Sequence, residues 1–294
     1  GGSARQNAFV LFVVQPGERN AIDQQIVEQE LWQEHGIKVI RRTLLQVEQE
    51  GSLVGRKRRL LLNDIEVSVI YFRAGYTPDD YLSSREWSAR FLLERSFAIK
   101  CPSVTYHLAG AKKVQQQLCS PGELERFVTK EEAASLRQVF AGLWSLDGSD
   151  VPPKDATADE IAAASAMENA KRFPESFVMK PQREGGGHNL FGDELAAALK
   201  SWSRPQRSGF ILMQRIFPKA APAILVRNGA LIRGNAISEF GVYSTFLRAR
   251  SGRIAINEAV GHLVRTKPVG VDEGGVAAGF AVLSSPLVTN LDKM

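Results

Sequence analysis

The stretch Ala8-Phe9-Val10-Leu11-Phe12-Val13-Val14 decides the fold class of the first part of the chain. It is a continuous apolar run rich in β-branched and aromatic residues, which is typical of a strand buried on both faces of a sheet. Gln15-Pro16-Gly17 follows, and this pairing of Pro with Gly predicts a turn that ends the strand. Because such a strand needs helices on both faces of its sheet, the sequence predicts an open α/β unit.

The residues that follow alternate as an α/β unit requires. Apolar residues at helical spacing predict a helix that ends at Gly36, and residues 38–45 predict a second strand. Residues 59–62 and 65–72 read as a hairpin around Asn63-Asp64, and a helix follows over about residues 85–98. We therefore predict an open, Rossmann-like α/β domain over residues 7–104.

The pattern changes after Pro102 to that of an α+β domain, which we place over residues 105–294. Helical patterns and strand-like patterns now occur in separate runs rather than in strict alternation. The predicted helices cover residues 108–118, 130–143, 159–171 and 193–201. The predicted strands cover residues 177–180, 209–214, 223–227, 231–240, 243–248 and 262–266.

Composition excludes several classes of protein. The 294 residues carry a net charge of +5, but apart from residues 56–59 the basic residues are scattered and no stacking-aromatic motif accompanies them, so nucleic-acid binding is not expected. No apolar run approaches the roughly 18–20 residues that span a bilayer. Cys101 and Cys119 are the only cysteines, which suits a reducing compartment such as the cytoplasm. Neither the cysteines nor the four histidines show zinc-ligand spacing.

A glycine-rich segment follows the predicted strand 177–180. It reads Lys180-Pro181-Gln182-Arg183-Glu184-Gly185-Gly186-Gly187-His188-Asn189. Glycines let backbone N–H groups close around phosphate oxygens, a Lys can neutralise phosphate charge, and a carboxylate can hold Mg²⁺. The segment matches neither the P-loop nor the dinucleotide fingerprint. On its own, a flexible surface turn explains it equally well.

A second glycine site, Glu273-Gly274-Gly275-Val276-Ala277-Ala278-Gly279, lies shortly after Arg265 and Lys267. Small residues beside cations suggest a pocket for a small anion. A surface turn that leads into a packed strand is the simpler interpretation of this segment taken alone.

Polar residues also follow two strands of the predicted α/β domain, where ligands bind in open sheets. Glu18-Arg19-Asn20 and Gln24 come after the first strand, and Arg73-Ala74-Gly75-Tyr76 come after residues 65–72. An Arg there suits a carboxylate. Asn20 is also a plausible helix N-cap, and Arg73 could be a solvated turn residue.

Together these segments resemble eukaryotic-type glutathione synthetase, an ATP-grasp ligase. The resemblance runs from about residue 7 to residue 288. It is carried by ERNAIDQ (18–24), VIRRT (39–43), YFRAGY (71–76), LAGAKKVQQQL (108–118), KPQREGGGHNLFG (180–192), ISEFGVY (237–243) and GHLVRTKPVGVDEGGVAAG (261–279). It implies a substrate-binding α/β domain over residues 7–104, followed by an ATP-grasp α+β region with a lid over roughly residues 155–236.

The resemblance also implies roles for single residues. ATP would contact Lys112, Lys180, Arg183, Glu184, Gly185, Gly186, Gly187, His188, Asn189, Phe191, Met213, Gln214, Arg215, Ile216, Glu239, Lys267 and Glu273. Glu184 would be the Mg²⁺ ligand. The substrates γ-glutamylcysteine and glycine would contact Glu18, Arg19, Asn20, Gln24, Arg73, Ala74, Gly75, Tyr76, Arg265, Val276 and Ala277. Lys180, Lys112 and Arg265 would be catalytic, and the loops 185–187 and 269–279 would exclude water from the reaction.

The sequence departs from the family pattern at a few of these positions. Phe191 replaces a Tyr, Gln214-Arg215 replaces a Glu-Lys pair, Ala74 replaces an acidic residue, and Glu273 replaces an Asp. The family also has an N-terminal segment before residue 7 that carries further Mg²⁺ and substrate contacts. We therefore expect this chain to be a fragment, the ordered part of a longer protein, or one piece of a cleaved one. The resemblance also implies a homodimer. The alternatives are a same-family ligase that uses another amine such as β-alanine, and a non-catalytic half of a split enzyme.

Overall fold

The computed structural model describes residues 9–18, 20–182, 188–249, 251–276 and 279–286. The chain forms two compact units, Gly1–Gln115 and Gln116–Met294. The domain boundary after residue 104 and the lid over residues 155–236 remain predictions. Within the described residues, no helix is long and apolar enough to cross a membrane.

The first unit is built around one mixed sheet of six strands. Its order is β2-β1-β5-β4-β3, and β6 pairs with the second half of β5. Strand β1 lies parallel to both β2 and β5, whereas β3, β4 and β5 form an antiparallel meander. The elements are β1 (Phe9–Val13), α1 (Ala21–His35), β2 (Val39–Arg42), α2 (Leu44–Glu50), β3 (Gly51–Val54), β4 (Arg59–Leu62), β5 (Ile65–Phe72), α3 (Ser84–Arg95), β6 (Ile99–Cys101), α4 (Val104–Ala109) and α5 (Lys112–Cys119), whose end reaches the second unit.

Strand β1 is the centre of this unit, as its apolar run predicts. Leu11, Phe12 and Val13 are fully buried, and Leu11 and Val13 pack in a core with Ile70 and Leu93. Burying a side chain of this size stabilises the fold by roughly 1.5–3 kcal/mol. Since β1 is central and parallel, its carboxyl end and that of β5 open at the same edge of the sheet.

The predicted strand 38–45 is too long. It ends at Arg42 because Thr43 starts helix α2. The Thr43 hydroxyl accepts a hydrogen bond from the Gln46 N–H at 3.3 Å, and the Gln46 side chain accepts one from the Thr43 N–H at 2.9 Å. This reciprocal capping box is worth about 1 kcal/mol and outweighs the strand preference of Leu44 and Leu45.

The second unit contains two antiparallel sheets, β7-β9-β8 and β10-β11-β12-β13. Because both sheets are antiparallel and not parallel, the α+β prediction is confirmed for this unit. Its elements are α6 (Lys130–Arg137), β7 (Leu143–Ser145), α7 (Ala158–Arg172), β8 (Phe177–Pro181), α8 (Gly192–Ser201), α9 (Arg204–Arg207), β9 (Phe210–Gln214), β10 (Ala221–Arg227), β11 (Ala230–Arg248), β12 (Ile254–Pro268) and β13 (Val282–Ser284).

The core of the second unit lies between helices α7 and α8 and the sheet β7-β9-β8. Met167, Met179, Leu195 and Leu212 pack together there. In the other sheet, the two strands predicted over residues 231–240 and 243–248 form one strand, β11. The backbone pairing of β11 with β12 continues across Gly241, so the strand is not interrupted there. These packed elements fix β8 and β9, whose residues line the site described below.

Candidate functional site

A cleft of about 630 Å³ lies between the two sheets of the second unit. Residues from β8, β9, β11 and β12 line it, together with the loop of residues 269–275. Its lining combines apolar side chains, such as Val178, Met213 and Ile237, with positively and negatively charged side chains. A cleft of this size and character suits a small ligand that has one flat apolar part and one charged part.

The end of strand β9 forms one wall of the cleft and is held by backbone hydrogen bonds. The Gln214 N–H donates to the Gly142 carbonyl at 2.8 Å, and the Arg215 N–H donates to the Ser176 carbonyl at 2.9 Å. The Gln214 side chain accepts a further bond from the Gly142 N–H at 3.2 Å. Phe191 and Phe217 lie beside this wall and supply the aromatic surface on which a planar ring can stack.

The opposite wall carries several charged groups. Arg265 on β12 pairs with Glu239 on the neighbouring strand β11. The Lys267 ammonium donates to the carbonyl oxygens of Asp272 at 2.7 Å and Glu273 at 3.2 Å. Burial lowers the pKa of Lys267, although the carboxylates of Asp272 and Glu273 act in the opposite direction.

The loop of residues 269–275 crosses the cleft and is tied to its surroundings. The Asn189 amide donates to the Glu273 carboxylate at 3.0 Å, and the Val269 N–H donates to the Asn235 carbonyl at 3.0 Å. Gly270 has a φ of 89°, which a residue with a side chain rarely adopts. Gly274 and Gly275 of the predicted second glycine site line the cleft, and their role there remains a proposal.

The cleft brings together most of the described residues that the sequence assigns to the nucleotide, and with them Arg265. These are Lys180, Asn189, Phe191, Met213, Gln214, Arg215, Ile216, Glu239, Arg265, Lys267 and Glu273. His188 is exposed and Val276 follows the loop in a turn, and neither is a lining residue. Arg183, Glu184, Gly185, Gly186, Gly187 and Ala277 lie outside the described residues. The roles of all of them remain proposals.

Lys112, the remaining predicted nucleotide contact, belongs to the first unit. It is the first residue of α5 and is partly buried.

A second polar cluster lies in the first unit, at the carboxyl ends of β1 and β5. The Glu18 carboxylate accepts hydrogen bonds from the Asn20 N–H at 2.8 Å and the Gln15 amide at 3.3 Å. Burial acts to raise the pKa of Glu18, but the Asn20 N–H and the amides of Gln24 and Gln15 outweigh it and lower that pKa. Gln24 is buried beside it, on the first turn of α1.

Asn20 occupies the N-cap position of α1, but its side chain makes no capping hydrogen bond. The N-cap interpretation is therefore right about the position of Asn20 and wrong about the role of its side chain. Arg19 lies outside the described residues.

Arg73 lies at the carboxyl end of β5 and faces this cluster. Its guanidinium pairs with Asp23 of α1 and donates to the Tyr71 hydroxyl at 3.3 Å. The interpretation of Arg73 as a solvated turn residue is therefore wrong. Because an Arg binds a carboxylate through two parallel hydrogen bonds, this position suits a ligand carboxylate.

The turn after Arg73 is held by one carboxylate. Asp80 accepts hydrogen bonds from the N–H groups of Gly75, Tyr76 and Thr77 at 3.1, 2.9 and 3.2 Å. A Cβ at Gly75, where φ is 88°, would lie 3.0 Å from the Tyr81 hydroxyl, so the turn requires glycine. Ala74 is buried beneath the turn, and burial raises the pKa of Tyr76 to about 12.

The residues of the two sites that sequence reasoning missed include Asp23, Asp80, Phe217 and Asp272. Phe217 and Asp272 line the cleft, whereas Asp23 and Asp80 order the residues around Arg73. Each stands within a few residues of a predicted position, which is the signal that could have suggested them.

The two antiparallel sheets and the charged cleft between them define an ATP-grasp-type α+β fold. A solved structure with a similar fold is that of a glutathione synthetase-like effector from Globodera pallida in its apo form. It superimposes with a TM-score of 0.69 over 97% of this chain and 57% of that chain, at 18% sequence identity. At this identity the likeness concerns the fold alone.

Sequence comparison places the chain in a family. The family profile described as eukaryotic glutathione synthase, ATP binding domain, matches residues 13–288, and the chain belongs to that family. It is 48% identical to the chloroplastic glutathione synthetase of Arabidopsis thaliana over 282 residues and 44% identical to the glutathione synthetase of Homo sapiens over 284 residues. Each match covers 95% of this chain but only 49% and 57% of the relative. The chain thus spans about half the length of the curated relatives it matches.

Proposed function

We propose that the chain binds ATP in the cleft of its second unit and belongs to a ligase that joins γ-glutamylcysteine and glycine to form glutathione. The observation that carries the proposal is the cleft itself, which gathers predicted nucleotide residues from β8, β9, β11, β12 and two loops. These residues are spread from 180 to 273 along the sequence, so a shared cleft is not a consequence of sequence proximity.

The lining suggests how ATP would be oriented. The fixed backbone after Met213 and the rings of Phe191 and Phe217 form the apolar side and would hold the adenine. Lys180 and Lys267 also line the cleft, and their charges would suit the phosphates. The family resemblance also assigns Arg183, His188 and the backbone of Gly185, Gly186 and Gly187 to ATP, as well as Lys112, which belongs to the first unit.

The proposed nucleotide site also fits Mg²⁺. Among the described residues no group of three or more His, Cys, Asp and Glu could hold a metal ion. A preformed cage is not required, because Mg²⁺ is commonly held by one or two carboxylates together with substrate phosphates. Glu239 and Glu273 are carboxylates that line the cleft, and Glu184 is the proposed ligand. A bound Mg²⁺ would neutralise part of the charge on the phosphates.

The reaction needs no protein nucleophile. A carboxylate oxygen of γ-glutamylcysteine bonds to the γ-phosphorus while the bond from that phosphorus to the bridging oxygen breaks and ADP leaves. The glycine amine then bonds to the acyl carbon, phosphate leaves, and the amine loses a proton. Lys180 and Lys112 would offset charge on the transferred group, so catalysis is positioning and electrostatics.

The substrates would be held by the remaining predicted residues. Glu18, Asn20, Gln24 and the turn at Arg73 carry donors and acceptors that suit the amino and carboxylate groups of γ-glutamylcysteine. Arg265, Val276 and Ala277 would hold glycine. A pocket for β-alanine would have to accept one more methylene than a pocket for glycine. The shape of the pocket near Val276 would therefore distinguish a glycine-using ligase from a ligase of the same family that uses β-alanine.

The remaining parts of the proposal rest on the family resemblance and the composition. We infer a homodimer, completion of the active site by the half of the family's length that this chain does not cover, and a reducing compartment such as the cytoplasm. A non-catalytic half of a split enzyme would share the cleft but would show no ligase activity by itself.

Photoaffinity labelling tests the proposed nucleotide site directly. The chain would be irradiated with 8-azido-ATP and Mg²⁺, and the labelled peptides would be identified by mass spectrometry. We expect labelling around residues 213–217, which excess ATP suppresses and excess γ-glutamylcysteine does not. Labelling that is confined to the first unit, or that ATP fails to suppress, would refute the assignment of the cleft.

A further inference from the structure

Arg215 occupies an unusual position at the mouth of the cleft. Its guanidinium carbon lies 5.5 Å from the ring centroid of Phe191 and 5.4 Å from that of Phe217. One of its terminal nitrogens also pairs with the Asp272 carboxylate, which belongs to the loop 269–275. A planar guanidinium can stack on rings and bond a carboxylate through its edge at the same time, which an ammonium group cannot do.

The pair links two parts of the second unit that are far apart in sequence. Arg215 directly follows β9 and its backbone is held to Ser176, whereas Asp272 is 57 residues further on. Lys267 lies on the strand that leads into the same loop. Its ammonium group donates hydrogen bonds to the backbone carbonyls of Asp272 and Glu273. Lys267 therefore holds the base of the loop, and Arg215 holds the loop to the facing wall of the cleft.

We infer that Arg215 and Asp272 form a latch that keeps the loop 269–275 across the cleft and thereby slows the release of bound nucleotide. The inference rests on the proposed nucleotide site. Arg215 is a positioning residue in this account, because it acts through Asp272 and the loop. An alternative in which the pair only blocks an empty cleft predicts the opposite effect, since breaking it would then strengthen binding.

The loop can be tested without nucleotide. Endoproteinase Glu-C would be applied to the native chain, and the fragment that ends at Glu273 would be followed by mass spectrometry. Arg215→Gln is expected to raise the rate of this cleavage about three- to ten-fold, the size expected for a partly exposed ion pair with cation–π support. The matched control is Arg137→Gln, which breaks the pair of Arg137 with Glu125 elsewhere in the same unit and should leave the rate unchanged.

Nucleotide release provides the second measurement. Stopped-flow kinetics with N-methylanthraniloyl-ATP and Mg²⁺ would be recorded for the wild type, Arg215→Gln, Asp272→Asn and Arg215→Lys. The first two variants should dissociate about three- to ten-fold faster with little change in association, and Arg215→Lys should lie between, because it keeps the charge and loses the stacking. Arg137→Gln should behave as the wild type.

The outcomes separate the latch from the proposed function. Unchanged Glu-C cleavage in Arg215→Gln would overturn the latch whether or not nucleotide binds. Unchanged or slower nucleotide release in both variants would overturn its role in retention while the proposed site stands. A wild-type chain that binds no nucleotide would overturn the proposed site and the retention role together.

Discussion

Arg73 shows how one side chain connects the sheet to a ligand. Arg73 directly follows β5, at the edge of the sheet. Its ion pair with Asp23 and its hydrogen bond to the Tyr71 hydroxyl orient the guanidinium before a ligand binds. Such a preorganised cation loses little conformational freedom when a carboxylate binds. The first unit therefore holds a guanidinium in position for a carboxylate of the proposed dipeptide.

Replacing Arg73 by Ala should weaken dipeptide binding and leave ATP binding nearly unchanged. A lost charge-assisted hydrogen bond costs roughly 1.5–3 kcal/mol, so KM for γ-glutamylcysteine should rise at least about ten-fold in the complete enzyme. Arg59→Ala is the matched control, because Arg59 pairs with Glu66 on the same sheet away from the cluster. Weakened ATP binding in Arg73→Ala would instead assign this turn to the nucleotide.

Because of Glu18, the free energy of unfolding of the chain should decrease at acid pH. Its folded pKa lies below the ordinary value of 4.5, because the Asn20 N–H and neighbouring amides outweigh the effect of burial. The folded state therefore favours the carboxylate, and the resulting stabilisation is complete above pH 4.5 and is lost as the pH falls through the folded pKa.

Comparison of the wild type with Glu18→Gln isolates this effect. Urea unfolding of both should give a free-energy difference that shrinks between neutral pH and about pH 3. A difference that stays constant over this range would show that the Glu18 carboxylate is not stabilised by its surroundings.

At the scale of elements, strand β1 should dominate the stability of the first unit. Leu11→Ala removes a fully buried side chain and should lower the free energy of unfolding by about 2–5 kcal/mol. Leu82→Ala is the control, because Leu82 is 85% exposed, and it should change the free energy by less than about 0.5 kcal/mol. Equal effects of the two substitutions in denaturant unfolding would contradict the central position of β1.

Elements with a strong local signal follow from the sequence. The apolar run predicts β1, and the turn at Asn63-Asp64 predicts the hairpin of β4 and β5, where Asn63 adopts a φ of 44°. Helix α2 could have been predicted from Thr43 and Gln46, but the apolar pair between them reads equally well as strand. Strand β3 has no local signal of its own, since it depends on pairing with β4.

The site residues are harder to predict from the sequence than the helices and strands. The cleft residues follow from the family resemblance and not from periodicity or spacing. Asp23 lies 50 residues before Arg73, and Asp272 lies 57 residues after Arg215. Sequence spacing does not show which residues pair over such separations, because the tertiary fold brings the partners together.

At the scale of the whole molecule, the choice of amine tests the proposed reaction. In the proposed site the amine would have to reach the acyl carbon while Arg265 holds the carboxylate of the same small molecule, so one additional methylene would displace one end. Glycine should therefore be preferred over β-alanine by about ten- to two-hundred-fold in kcat/KM. Competition kinetics on the complete enzyme would measure the ratio, and equal constants or a preference for β-alanine would favour the same-family alternative.

The most direct test of the central claim is calorimetric titration of the chain with ATP and Mg²⁺. We predict one site per chain, with an affinity that falls at least about ten-fold in Lys180→Met, because the substitution removes a cation that is proposed to contact the phosphates. Lys200→Met, on the exposed side of α8, should bind as the wild type does. Equal affinities in the wild type and Lys180→Met, or no binding by the wild type, would contradict the assignment of the cleft to ATP.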